Sequence, residues 1–350
     1  MSTSSPATMG GSTIRLGRDS DADAFIALIA ACWALYPGVR MDVDGEMPEL
    51  RALASYYQSA GGALWLAEDR DNPIGMIATR PLKPGERSGA WEICRVYVDP
   101  AHHGSGAGHA LLDVAEAHAV AAGASRLVLW SDTRFERAHQ FYEKRSFVRC
   151  GPIRVLADVS QSLEFAYGKP VNGIELLDAA AAASAERSLV DLLVACVDAG
   201  ASVSFLPPLP AATARAFWKH VTAEIAAGTR LLLAGWAGGS LLGAAMLDLG
   251  TPPNQPHRAE VQKLLVHPNA RRKGLGRALM QWAEQEAVRA GRSLLTLDTK
   301  AGDAAEALYR ANGWQEAGRI PGYALNADGT PCDTVLFWKI PSPTKWERVG

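Results

Sequence analysis

Arg271-Arg272-Lys273-Gly274-Leu275-Gly276 follows a strand-like run closed by Pro268 and opens an apolar helical pattern. A helix N-terminus exposes unpaired N–H groups and a partial positive charge. Glycines let that backbone approach an anion, and three adjacent cations add attraction. A diphosphate-bearing cofactor is the natural ligand of such a turn. The segment lacks the Gly-x-x-x-x-Gly-Lys-Ser/Thr of a Walker A loop. It also lacks the third glycine of the dinucleotide fingerprint, since Ala278 and Leu279 follow Gly276. Its plainer reading is a glycine turn carrying a solvated basic run.

The same pattern stands 168 residues earlier, where Gly106 and Gly108 match Gly274 and Gly276. Trp91 to Pro100 matches Ala259 to Pro268, each with a Glu near its start (Glu92, Glu260), a basic residue three places on (Arg95, Lys263) and a closing Pro. The helical patterns that follow end at Gly123 and Gly291, as C-terminal caps. Strand-like runs then carry Asp132 and Asp298, and Ala138–Phe147 matches Ala305–Trp314 with Tyr142 against Tyr309. A period this long is a duplicated domain, since solenoid repeats run about 20–50 residues. Strands alternating with helices in each half predict an α/β fold, a mixed central β-sheet flanked by helices, present twice. Residues 13–168 and 173–341 are expected to be the two domains. Residues 1–12 read as a flexible tail, and the join lies near Gly168–Gly173.

Composition narrows the classes. The 350 residues carry 35 Lys+Arg against 37 Asp+Glu, a net charge of −2, which lacks the basic field of a nucleic-acid binder. Five scattered cysteines without a Cys-x-x-Cys pair argue against a disulfide scaffold or a zinc cluster, and no metal is expected. They fit reduced thiols in a cytoplasmic protein. Leu231–Leu247 is uncharged, but Gly238-Gly239 at its middle predicts a hairpin of buried strands and no membrane span. Trp33, Tyr36 and Trp218 fall on the early helices, as core or as cover for a substrate site. Asn254–Arg258 precedes a strand, as a cleft border or a Pro-stiffened loop.

Arg271-x-x-Gly274-x-Gly276 after a strand resembles the Gln/Arg-x-x-Gly-x-Gly/Ala signature of the GCN5-related N-acetyltransferases (GNAT). Asp298 with its strand and Leu308-Tyr309-x-x-x-Gly313-Trp314 resemble the family's later motifs. The second half, through Ala201–Pro208, Glu260–Lys263, Leu297–Thr299 and Pro321–Tyr323, is similar to tabtoxin-resistance acetyltransferases. The first half departs at His103, where the signature has Gln or Arg, and at Ser146, which replaces a glycine.

The resemblance implies acetyl-CoA as co-substrate and the primary amine of a small molecule as acceptor, attacked directly without an acyl-enzyme. It implies that Glu260 and Asp298 take the amine's proton and that Tyr309 protonates the departing thiolate, with Glu92, Asp132 and Tyr142 as the first-half counterparts. Ion pairing with Lys263 or Arg95, and core packing of the tyrosines, are the plainer alternatives. Cofactor contacts are implied for Leu265, Val266, Arg271, Arg272, Lys273, Gly274, Leu275, Gly276 and Arg277. In the first half they are implied for Val98, His103, Gly104, Ser105, Gly106, Ala107 and Gly108. A backbone N–H near Leu265 would hold the thioester oxygen. The second half is expected to be active. Two other readings stay open: a non-catalytic CoA-binding scaffold with a degenerate first half, and an enzyme acting on protein amino groups. Neither nucleic acid nor membrane is an expected partner, and two like halves can pack as an internal pseudo-dimer, or the chain as a homodimer.

Overall fold

The computed structural model describes residues 7–9, 12–82 and 89–341. Contacts divide the chain into two units between Asn172 and Gly173. The first unit runs β1 (Ala7–Met9), β2 (Ser12–Leu16), α1 (Ala22–Trp33), α2 (Leu53–Ser59), β3 (Ala63–Asp69), β4 (Asn72–Pro81) and β5 (Ala90–Val98). It continues with α3 (Ala107–Ala121), β6 (Arg126–Asp132), α4 (Glu136–Lys144), β7 (Val148–Arg149), β8 (Arg154–Val155) and β9 (Leu163–Pro170). Its sheet is ordered β1-β2-β3-β4-β5-β6-β9-β7, with β8 also on β9.

The second unit runs β10 (Gly173–Leu177), α5 (Ala179–Ser184), α6 (Glu186–Asp198), α7 (Ala211–Ala226), β11 (Arg230–Ala237), β12 (Ser240–Asp248) and β13 (Arg258–Val266). Then come α8 (Leu275–Arg289), β14 (Leu294–Lys300), α9 (Ala304–Ala311), β15 (Gln315–Leu325) and β16 (Pro331–Lys339). Its sheet order is β10-β11-β12-β13-β14-β16-β15. Both units are therefore α/β with a mixed sheet. The parallel pairs, β5 with β6 and β13 with β14, are those whose connection must cross over, and α3 and α8 make the crossings.

Strand alternation divides each core between the two sheet faces. Trp65 and Ala67 join the cluster around Leu111 of α3, while Leu64 and Leu66 join the cluster around Phe25 of α1. Likewise Leu232 and Ala234 pack with α6, and Leu233 packs with Leu279 and Ala283 of α8. Helix α8 buries Leu279, Met280, Ala283, Glu286 and Ala287, a stripe at three- and four-residue spacing.

Leu231–Leu247 forms the expected hairpin, turned at Gly238 and Gly239 with φ of +59° and +75°. Those left-handed conformations suit the primed hairpin turns. No helix among the described residues is long and apolar enough to cross a membrane. Two details differ from expectation, and the strands after α4 are short. Ala7–Met9, inside the stretch read as a tail, pair antiparallel with Ser12–Ile14, while residues 1–6, 10 and 11 lie outside the described residues. The segment 148–159 holds only the short strands β7 and β8, because Gly151 turns (φ +73°) and Pro152 has no N–H for a ladder. Lys169 and Pro170, read as part of the join, close β9 against Arg126 and Leu127.

Candidate active site

Strands β13 and β14 pair only over Arg258–Glu260 and Leu294–Thr296. Just beyond, β13 carries an extra residue relative to β12, with the register shifting between Ala244 and Met246. Lys263 sits in that bulge with φ +50°. A bulge bends its strand and re-aims a side chain. Past Glu260, β13 is therefore without ladder partners on the β14 side. A cavity of about 760 Å³ lies there, lined by Glu260, Lys263, Leu265, Val266, Asp298 and Tyr309 together with Arg271, Arg272, Gly274, Gly276 and Arg277. The first unit repeats the device. Strands β5 and β6 pair only over Ala90–Glu92 and Arg126–Val128, and Arg95 bulges with φ +52°. Nothing in the residue types announced these bulges; the matching basic residues at 95 and 263 were the available signal.

The turn before α8 puts Arg272 at φ +62° and Gly274 at φ +88°, curling successive N–H groups toward one side. The first N–H groups of α8 have no carbonyl in the preceding turn to bond. A Cβ on Gly276 would stand 3.4 Å from Leu308 and 3.5 Å from Val266, which is ordinary contact. The protein's own packing does not demand glycine there. Arg271 Nε donates to the Val266 carbonyl (3.3 Å), and His103 Nε2 donates to the matching Val98 carbonyl (3.0 Å). The histidine thus reproduces the strand contact of the arginine it replaces. The thiols of Cys196 and Cys32 donate to the same two carbonyls, at 3.4 and 3.2 Å. Lys273 and Leu275 do not line the cavity.

Glu260, half-buried, accepts from Gln262 Nε2 (3.1 Å) and has Arg258 at 3.8 Å. Asp298 is exposed to the cavity, with Thr334 Oγ1 at 3.1 Å from its Oδ2. Neither carboxylate pairs with Lys263 among the described residues. Tyr309 is 5% exposed, its ring against Trp314 and Phe337, and its hydroxyl has no hydrogen-bond partner among the described residues. Burial, then the Asp298 and Asp303 carboxylates, push its phenol above the ordinary range. The ring of this tyrosine is core, and the residue also lines the cavity.

The first unit assembles less. Val98, His103, Gly104, Gly106, Ala107, Gly108 and Tyr142 line a cavity of about 530 Å³, with Trp33 and Tyr36 on its wall; Ser105 does not line it. Glu92 and Asp132 do not line it either. Glu92 pairs with Arg80 at 2.7 Å, across the β4–β5 ladder, and not with Arg95. Asp132, 6% exposed, is held by Arg134 at 2.6 Å. Burial pushes its carboxyl up, but the guanidinium and the Arg134 N–H outweigh this and hold it below its ordinary value. Trp218 is core, at 1% exposure, and Asn254–Arg258 does not line the second unit's cavity, although Arg258 stands 3.8 Å from Glu260.

Residues 28–147 and 201–314 each match the model of the acetyltransferase (GNAT) family. Among solved structures the chain is similar to yncA of Salmonella typhimurium, determined with its cofactor acetyl-CoA. That match has 18% identity, covers 51% of this chain and 98% of the other, and has a TM-score of 0.41. An N-acetyltransferase from Staphylococcus aureus Mu50 is 17% identical over 49% of this chain and 98% of its own, with a TM-score of 0.42. A ribosomal-protein-alanine N-acetyltransferase from Brucella melitensis is 22% identical over 48% and 99%, with a TM-score of 0.40.

Proposed function

The chain belongs to the GNAT family of acetyltransferases, and from that premise we propose that its second unit transfers the acetyl group of acetyl-CoA to the primary amine of a small molecule. The observation that carries this reading is that Glu260, Asp298 and Tyr309 share one cavity with the Arg271–Gly276 turn. The turn's N–H groups and the cations of Arg271, Arg272 and Arg277 suit the coenzyme's phosphates. Acetyl-CoA supplies the thioester carbon and a thiolate leaving group. An ammonium cannot attack, so Glu260 or Asp298 takes the acceptor's proton, directly or through water. The N–C bond forms, the nitrogen gives up its second proton to water, the C–S bond breaks, and the thiolate takes a proton from Tyr309, whose phenolate regains one from solvent. A backbone N–H near Leu265 steadies the oxygen as charge gathers on it. The finer likeness to tabtoxin-resistance enzymes rests on sequence motifs alone.

The first unit keeps the glycine turn and Tyr142, but both its carboxylates are held by guanidinium groups away from the cavity. This supports a first unit that holds the coenzyme without turnover. Thiol release from acetyl-CoA over a panel of amines tests the reading. Glu260→Gln is expected to lower kcat by about 10²–10⁴-fold, the usual worth of a general base. Glu92→Gln is expected to leave turnover near the parent rate. Equal losses would place chemistry in both units. Tight acetyl-CoA binding with no thiol released by any amine would make the chain a CoA-binding scaffold instead.

A further inference from the structure

Lys263 makes no ion pair among the described residues. Its ammonium lies in the second unit's cavity, donating to Ser204 Oγ at 2.8 Å, with the rings of Phe205 and Phe217 centred 5.9 and 6.0 Å away. Among the described residues no carboxylate comes within 4.0 Å of it. Burial, with Arg230 adding to it, pushes its pKa below the ordinary lysine value, and Asp298 and Glu260 are too weakly coupled to restore it.

The repeat supplies an internal comparison. Arg95 stands at the matching bulge with nearly the same φ, but its guanidinium is spent on Glu49 at 2.6 Å, and it does not line the first unit's cavity. The first unit thus answers its bulge cation with a carboxylate of its own chain. The second answers with a hydroxyl and two aromatic rings. A partly buried cation with only neutral partners loses hydration that an incoming anion would restore.

We propose that Lys263 is the anion subsite of the acceptor, and that the acceptor is an amine bearing a carboxylate on the adjacent carbon, the α-amino acid class. This rests on the catalytic reading above. Glu260 and Lys263 are three residues apart on one bent strand, and both side chains line the same cavity as Asp298. Both charges of such a molecule find a partner there, the ammonium toward Glu260 and Asp298 and the carboxylate toward Lys263. Leu206 and Tyr323, 52% and 57% exposed on the cavity wall, offer apolar surface for the rest of such a molecule.

The test measures acetylation of matched acceptors: L-amino acids with the common side chains, and the amines left when each loses its carboxylate. The full-length chain and its Lys263→Met and Lys263→Arg variants are compared, with thermal melts confirming the fold. The best acceptor is expected to carry the carboxylate, exceeding its decarboxylated partner by about 10–100-fold in kcat/KM, the worth of a charge-assisted hydrogen bond. Lys263→Met should erase most of that preference through KM for the acid, and Lys263→Arg should keep it. The assignment falls if the best acceptor has no carboxylate, or if Lys263→Met slows both members of a pair equally. Acetylation of some other amine class alone also overturns it while leaving the catalytic reading intact. Release of thiol by no amine at all is the separate outcome that sinks that reading.

Discussion

Tyr309 and Tyr142 occupy matching places, and burial pushes both phenols above the ordinary value. That direction is compatible with the role proposed for Tyr309. A raised pKa keeps the proton on through neutral and mildly alkaline pH, so Tyr309 holds a proton that it can give. For the parent enzyme the phenol's own falling limb therefore lies above about pH 10, the unperturbed tyrosine value. Tyr309→Phe is expected to lower kcat by about 10–100-fold, within the range of a lost general acid, while acetyl-CoA affinity stays close to the parent's. An alkaline decline centred below the ordinary tyrosine range that vanishes in Tyr309→Phe would contradict this. Unchanged kcat in the variant would return the residue to a packing role alone.

Among the elements, the end of α4 shows what the repeat lost. Ser146 holds φ +64° where its counterpart Gly313 holds +79°, each just after the closing turn of its helix. A side chain in that left-handed region costs about 1–2 kcal/mol, partly offset by glycine's larger unfolded-state entropy. Ser146→Gly is expected to stabilise the first unit by roughly 0.5–1 kcal/mol in urea unfolding; a destabilised variant would mean that the serine side chain earns its place through contacts. The departure was legible in the chain, as were the glycine turns and the Gly238-Gly239 hairpin, because each depends on a few adjacent residues. Asp132-x-Arg134 is equally local and could have been read as an ion pair. Long-range register was not legible. The Arg80–Glu92 pair exists because those residues face each other across β4 and β5, and the cavity exists because β13 bulges at Lys263. Residue types along one strand do not say where its ladder to another gives out.

For the whole molecule, the apolar clusters respect the division at Asn172 and Gly173. Two draw only on residues 14–171, and two only on residues 174–337. Each unit therefore has the means to melt cooperatively by itself, and a two-domain chain need not follow one two-state transition. Urea unfolding of the full chain is expected to show two transitions. Leu111 and Leu279 are both fully buried beneath their crossing helices, α3 and α8. Leu111→Ala should lower one transition and Leu279→Ala the other, each by about 2–5 kcal/mol, the cost of emptying a packed leucine site. Thiol release should follow the transition that Leu279→Ala moves, because α8 follows the turn proposed to hold the coenzyme. If activity instead disappears with the Leu111-sensitive transition, the first unit performs the chemistry. A single transition shifted by both substitutions would mean that the units fold as one.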